Sequence, residues 1–186
     1  MDTIRRIHLL NLALLVWIWV FSILKWPELP ERIPVHFNMA GEADGWADKS
    51  WEHWFLIPLV AVGMTLLLYG SAWLAARFPQ HANLPSRVKL ADLPPEERGP
   101  LLDVIKELLY RIAALITVQF VLMQLSTYRV AVGESEALPW YVRISTIGIV
   151  VLTLLLTLTT MLRLRSMIRS ITGSSQNKPT SGGAAA

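Results

Sequence analysis

The chain is 186 residues long and 53% apolar, with a mean hydropathy of +0.44, which is too apolar for most soluble folds. Its formal charge is +3 and its pI about 9.4, but the basic residues flank apolar runs instead of gathering on one polar surface. That arrangement excludes nucleic acid as a partner and points to a lipid bilayer. The absence of cysteine excludes disulfides, thiolate metal sites and cysteine nucleophiles.

A bilayer core needs roughly 20 apolar residues of helix to cross it. The first candidate, residues 7–24, follows Arg5 and Arg6 and gives way to Lys25, Trp26 and Pro27. It is longer than the apolar region of a cleavable leader and no Ala-x-Ala site follows, so an uncleaved signal anchor is expected. Residues 54–76, 112–128 and 144–162 supply three more spans. The second holds Pro58, Gly63 and Gly70, which lipid tolerates where neighbouring helices re-satisfy the backbone. The two glycines share one face, where another helix is expected to approach closely. Asn11, Gln119 and Gln124 are expected to hydrogen-bond between helices. No acid or base falls at mid-bilayer, and Arg111 lies at an edge where it can snorkel, which disfavours coupled transport.

Placing the N-terminus inside puts 12 of the 17 Lys and Arg residues on the inner side and 5 on the outer. The positive-inside bias therefore favours N-in and C-in. The expected fold is all-α: a four-helix transmembrane bundle over residues 1–165, with an ordered outer loop at 25–53 between the first two helices and an inner segment at 77–111. A cytoplasmic tail, residues 166–186, starts basic and is expected to be disordered after Gly173.

In the inner segment, Asp92-Leu93-Pro94-Pro95-Glu96-Glu97 carries helix-start signals that Gly99-Pro100 is expected to interrupt at once. A second start would run through Leu101, Leu102, Ile105, Leu108 and Leu109 as an amphipathic helix on the inner leaflet. The alternative use of this segment is a docking surface for a cytoplasmic protein.

The most specific stretch is the outer loop. Pro30 and Pro34 bias their preceding residues to extended backbone, so the chain should leave the membrane as a rod or short strand. Gly41 and Asp44-Gly45 are expected to take positive φ in tight turns. Trp26, Trp46, Trp51 and Trp54 fit the headgroup level, with an aromatic cage for a cation as the sharper alternative. His36, Glu42, Asp44 and His53 are candidate metal ligands, but no zinc-helix or EF-hand spacing is present. The reading preferred is structural, with His36 and Asn38 bonding turn backbone and no metal or other cofactor required.

Leu29 to Lys49 reads L-P-x-R-x-P-x-H-F-N-x-x-G-x-x-D-G-W-x-x-K, through Pro30, Pro34, His36, Phe37, Asn38, Gly41, Asp44, Gly45, Trp46 and Lys49. This motif resembles the domain of unknown function at the N-terminus of SdpI-type membrane proteins. Asn83, Leu84, Pro85 and Arg87 resemble the N-L-P-x-R segment of small four-span proteins built around that domain. Val88 and Lys89 depart from the aromatic pair that follows it in those relatives, and the additional spans of full SdpI proteins are absent from this chain. The resemblance implies a bacterial plasma membrane location and, for full SdpI proteins, immunity to a secreted toxin with sequestration of a repressor. The function expected is a non-catalytic immunity, sensory or accessory factor whose outer loop meets a ligand or a membrane or cytoplasmic protein. A metal-dependent enzyme at the outer leaflet, working through His36, Glu42 and Asp44, is the alternative, and a transporter comes third.

Overall fold

A computed structural model describes residues 3–85 and 88–176. Four long helices, α1 (Thr3–Lys25), α2 (Trp51–Arg77), α3 (Pro95–Ala131) and α4 (Trp140–Gln176), are each long and apolar enough to cross a membrane. Between α1 and α2 the chain forms an antiparallel hairpin of β1 (Arg32–Phe37) and β2 (Ala43–Asp48). The fold is thus mostly helical, as expected, with one two-stranded sheet among the described residues. The extended backbone that Pro30 and Pro34 demand, once it has a second strand to pair with, becomes a ribbon instead of a simple rod.

Helix α3 is the hub, packing against α1, α2 and α4, while α4 packs chiefly on α3. Most large apolar side chains of α4, Ile147 and Leu154 among them, remain outward, as lipid contact requires. Both α3 and α4 have 37 residues, about 55 Å of helix against a bilayer core of about 30 Å, and so reach well beyond the apolar spans. The reason is visible in their packing. Leu101 and Val104 near the start of α3 bury with Leu164 and Ile168 of α4 and with Leu84, Leu90 and Leu93 of the connecting segment. This cluster replaces the expected helix lying on the leaflet.

Nor does Gly99-Pro100 break α3. Pro100 is the sixth residue of the helix, so its missing N–H and its ring affect only the carbonyl of Glu96 in the first turn. Arg98 steadies the approach, donating to the carbonyls of Leu93 (3.0 Å) and Ala91 (2.8 Å). Helix α4 continues through residues 166–176, three residues beyond the boundary expected at Gly173. Arg87 and residues 177–186, which hold the rest of the expected tail, lie outside the described residues.

The three amides within the spans all join helices. Asn11 on α1 donates to the hydroxyl of Tyr69 on α2 (3.0 Å) and the carbonyl of Tyr110 on α3 (3.1 Å). Gln119 on α3 donates to Thr146 (2.8 Å) and accepts from Ser145 (2.8 Å), both on α4. Gln124 on α3 donates to the carbonyl of Trp54 on α2 (3.3 Å). The last bond has a specific cause. Pro58 has no N–H to offer the carbonyl four residues before it, which is that of Trp54, and lipid supplies no water in its place. Gly63 and Gly70, by contrast, face open space, so among the described residues no helix approaches them closely.

Gln124→Leu should therefore destabilise the protein by about 1–2 kcal/mol, because it leaves a buried carbonyl bare. Pro58→Ala restores the intrahelical donor, and in a double-mutant cycle read by unfolding in detergent it should remove most of that cost. Additive effects of the two substitutions would show that the bond does not compensate for the proline.

Candidate functional site

The hairpin is built to stand firmly on the helix ends. Ile33, 1% exposed, and Leu29 bury against Trp54, Phe55, Tyr128 and Ala131. At its base, the Lys49 amide donates to the carbonyl of Glu31 (2.7 Å) and the Lys49 ammonium to that of Leu29 (3.0 Å). Register runs Arg32 to Asp48, Ile33 to Ala47 and Pro34 to Trp46, then slips on either side of His36. Pro34 lacks a donor for the ladder, which is where strands accept bulges.

The turn is closed by Asn38. Its side-chain oxygen accepts from the Glu42 amide (3.0 Å) and its nitrogen donates to the Glu42 carboxylate (3.0 Å), a local side-chain bond that closes the turn. Gly41 takes φ +86°, as its place in a tight turn predicts. Gly41 also meets the loop between α3 and α4: its carbonyl accepts from the Leu138 amide (2.7 Å), and a Cβ there would lie 3.2 Å from the Leu138 oxygen. Glu42 bridges to Ala137, and Arg143 reaches the Met39 carbonyl (3.4 Å). The hairpin tip is pinned by a second loop that reading the first loop alone could not find. Gly133, just past the end of α3 and at φ +80°, opens that second loop.

Gly45 has a different role from the one expected. It lies within β2 without positive φ, and is required because a Cβ would stand 2.7 Å from the Cβ of His36 across the ladder. Close approach selects glycine there. His36 bonds not to turn backbone but to Asp44, with Nδ1 2.5 Å from the carboxylate. A carboxylate accepts only, so Nδ1 carries the proton and Nε2 is left to accept in the neutral ring or donate in the imidazolium. Both side chains are open to solvent, at 70% and 45% exposure.

The four candidate metal ligands fall into three places. His36 pairs with Asp44, Glu42 is held by Asn38, and His53 turns its Nδ1 to Ser50 (3.0 Å) and the Asp48 carbonyl (3.1 Å) at the start of α2. No three such side chains come together among the described residues. The tryptophans also divide. Trp46 and Trp51 are open, at 42% and 60% exposure, whereas Trp54 is core, and its indole N–H donates to the Ser22 carbonyl at the end of α1 (2.8 Å). Trp26 and Trp51 stack on each other at 4.5 Å, and Lys49 already covers the Trp26 face at 4.8 Å. That cluster is satisfied by the chain's own cation. Asn83 and Leu84 of the second motif sit at the opposite end of the bundle, where Asn83 bridges to Lys89 and the Leu84 amide donates to the Val88 carbonyl (2.8 Å).

Gly41→Val should release the tip by forcing positive φ on a branched residue and crowding Leu138, costing about 1–3 kcal/mol. Hydrogen exchange will report it as faster exchange at the Leu138 and Glu42 amides, whose acceptors lie in the turn. Gly45→Ala should instead disturb the ladder beside His36 and leave Leu138 protected. Equal protection at Leu138 in the Gly41 variant and the parent would show that the tip is not pinned there.

Residues 13–62, covering most of α1, the hairpin and the first half of α2, match a domain of unknown function, DUF1648. An uncharacterized protein of Archaeoglobus fulgidus is 32% identical over 89 residues, which make up 46% of this chain and 48% of that protein. The alignment thus spans about half of each. No solved structure matches. The part of the chain that matches the family model is therefore the hairpin with the adjoining stretches of α1 and α2.

Proposed function

We propose that this is a multi-pass protein of the bacterial plasma membrane, N-in and C-in, acting without catalysis as an immunity, sensory or accessory factor, with the outer hairpin as the surface that meets its ligand or partner protein. The observation that carries this reading is the contrast within the hairpin. Its backbone is tied to the helix ends and to the loop after α3, while His36, Asp44, Glu42, Trp46 and Met39 are left exposed, Met39 at 96%. A polar and aromatic surface on a fixed frame is suited to recognition, because little ordering entropy is lost on contact.

Among the described residues, ten of the fifteen Lys and Arg side chains lie at the end that holds the start of α1, the segment between α2 and α3 and the end of α4, and this excess supports the orientation. The long motif from Leu29 to Lys49 supports kinship with the SdpI N-terminal domain and the bacterial membrane it implies. At the other end, the cluster of Leu84, Leu90, Leu93, Leu101, Val104, Leu164 and Ile168 gives the inner segment an ordered surface on which a cytoplasmic protein can dock. The separation of His36, Glu42 and His53 offers the metal-enzyme alternative no ligand cluster among the described residues.

With no native cysteine, single substitutions report cleanly. Met39→Cys should be labelled by an impermeant reagent in intact cells and Glu96→Cys protected; the reverse pattern inverts the orientation. A photo-crosslinking residue at Met39 should give a discrete adduct that His36→Ala and Asp44→Ala diminish, while the same group at the outward-facing Leu67 gives only lipid adducts. Identical adducts from both positions would remove the hairpin from recognition.

A further inference from the structure

A pocket of about 170 Å³ lies between β1 and the hairpin ends of α2 and α3. Its walls are apolar, including Val35, Leu56, Ile57 and Met123, but Gln124 and Thr127 also line it. Gln124 is 0% exposed and Thr127 5%, and neither Oε1 of Gln124 nor the Thr127 hydroxyl has a hydrogen-bond partner. Buried polar atoms without partners are rare enough to need an explanation. Gln124 cannot supply one by turning over, because its nitrogen serves the Trp54 carbonyl and a flip would set oxygen against oxygen.

We propose that this pocket takes the uncharged, hydroxyl-bearing head of a membrane amphiphile. A hydroxyl group donates to Gln124 Oε1 and exchanges a hydrogen bond with Thr127, which matches the two vacant atoms. Charge is disfavoured, since His53 is the one titratable side chain on the lining and its Nδ1 is engaged with Ser50 and the Asp48 carbonyl. The size fits as well. A cavity of about 150 Å³ holds a benzene ring, so a head of about six heavy atoms, such as glycerol, is accommodated. Val35 and Leu56 are 47% and 54% exposed, and Leu56 belongs to the first turns of an apolar span. An attached chain therefore leaves between them into the hydrocarbon. This site goes beyond the hairpin's outer surface and does not depend on its role in recognition.

The test uses the full chain in phosphatidylcholine nanodiscs with three photoreactive probes: a monoacylglycerol, a long-chain alcohol, and the same acylglycerol with both hydroxyls methylated. Saturable labelling of the β1, α2 and α3 segments by the monoacylglycerol alone identifies an acylglycerol head; labelling by the alcohol as well identifies the hydroxyl as sufficient. The methylated probe should label about fivefold less. Thr127→Val, which removes a hydroxyl with no partner to lose, should keep the parent's melting temperature and lower labelling by about the same factor. Met123→Trp should fill the pocket and abolish it. Undiminished labelling of Thr127→Val, equal labelling by the methylated probe, or no saturable labelling at all, as when water alone fills the pocket, overturns the proposal.

Discussion

Trp54 is the point through which the bundle and the hairpin are joined. Its carbonyl, deprived of a helical donor by Pro58, is satisfied by Gln124 and so fastens α2 to α3. Its indole N–H donates to the Ser22 carbonyl in the last turn of α1. Its ring, 2% exposed, packs in the cluster with Leu29 and Ile33 at the foot of the hairpin. Three helices and a sheet thus meet at one side chain and its own backbone. In a bilayer, where apolar burial alone does not distinguish one helix face from another, such hydrogen bonds and close packing decide which faces meet.

The parts legible in the sequence were those set by one stretch of chain. Four apolar runs announced four helices because lipid demands length and composition that a single segment either has or lacks. Pro30, Pro34 and Gly41 announced an extended excursion and a turn because each restricts its own backbone. What escaped was set between stretches. The helices outrun their apolar runs because Leu101, Val104, Leu164 and Ile168 bury one another past the ends of those runs. Gly45 is fixed by His36 nine residues earlier, across a ladder whose register no single strand contains. The pocket draws on three elements, and its two vacant polar atoms become visible only once every neighbour is placed.

The polar interior also explains how one helix serves both ends of the molecule. Along α3, the Tyr110 carbonyl receives Asn11 and its ring packs at a tilt against Tyr69 and His8, Thr117 lies 3.4 Å from Thr65, and Gln124 holds Trp54. These contacts form a ladder of interhelical bonds from the end nearest the Leu101 and Leu164 cluster to the base of the hairpin. Near its top the Tyr128 hydroxyl donates to Glu28, whose carboxylate also holds Lys25, so the first turn after α1 is tied to α3 as well. The hairpin rests on the part of α3 most heavily constrained by its neighbours.

The attachment of α4 through Gln119 has a consequence for the order of events during synthesis. A chain made from its N-terminus has α1, α2 and α3 available to one another before α4 emerges. The amide of Gln119 accepts from Ser145 and donates to Thr146 and to the Val142 carbonyl, all on α4, so through that interval it has no partner from the finished fold. The same holds at the hairpin, whose Gly41 carbonyl waits for the Leu138 amide. Arrival of the last helix therefore satisfies one polar group within the span and fastens the hairpin tip above it in a single step. The hairpin reaches its final form only when the whole membrane domain has been delivered.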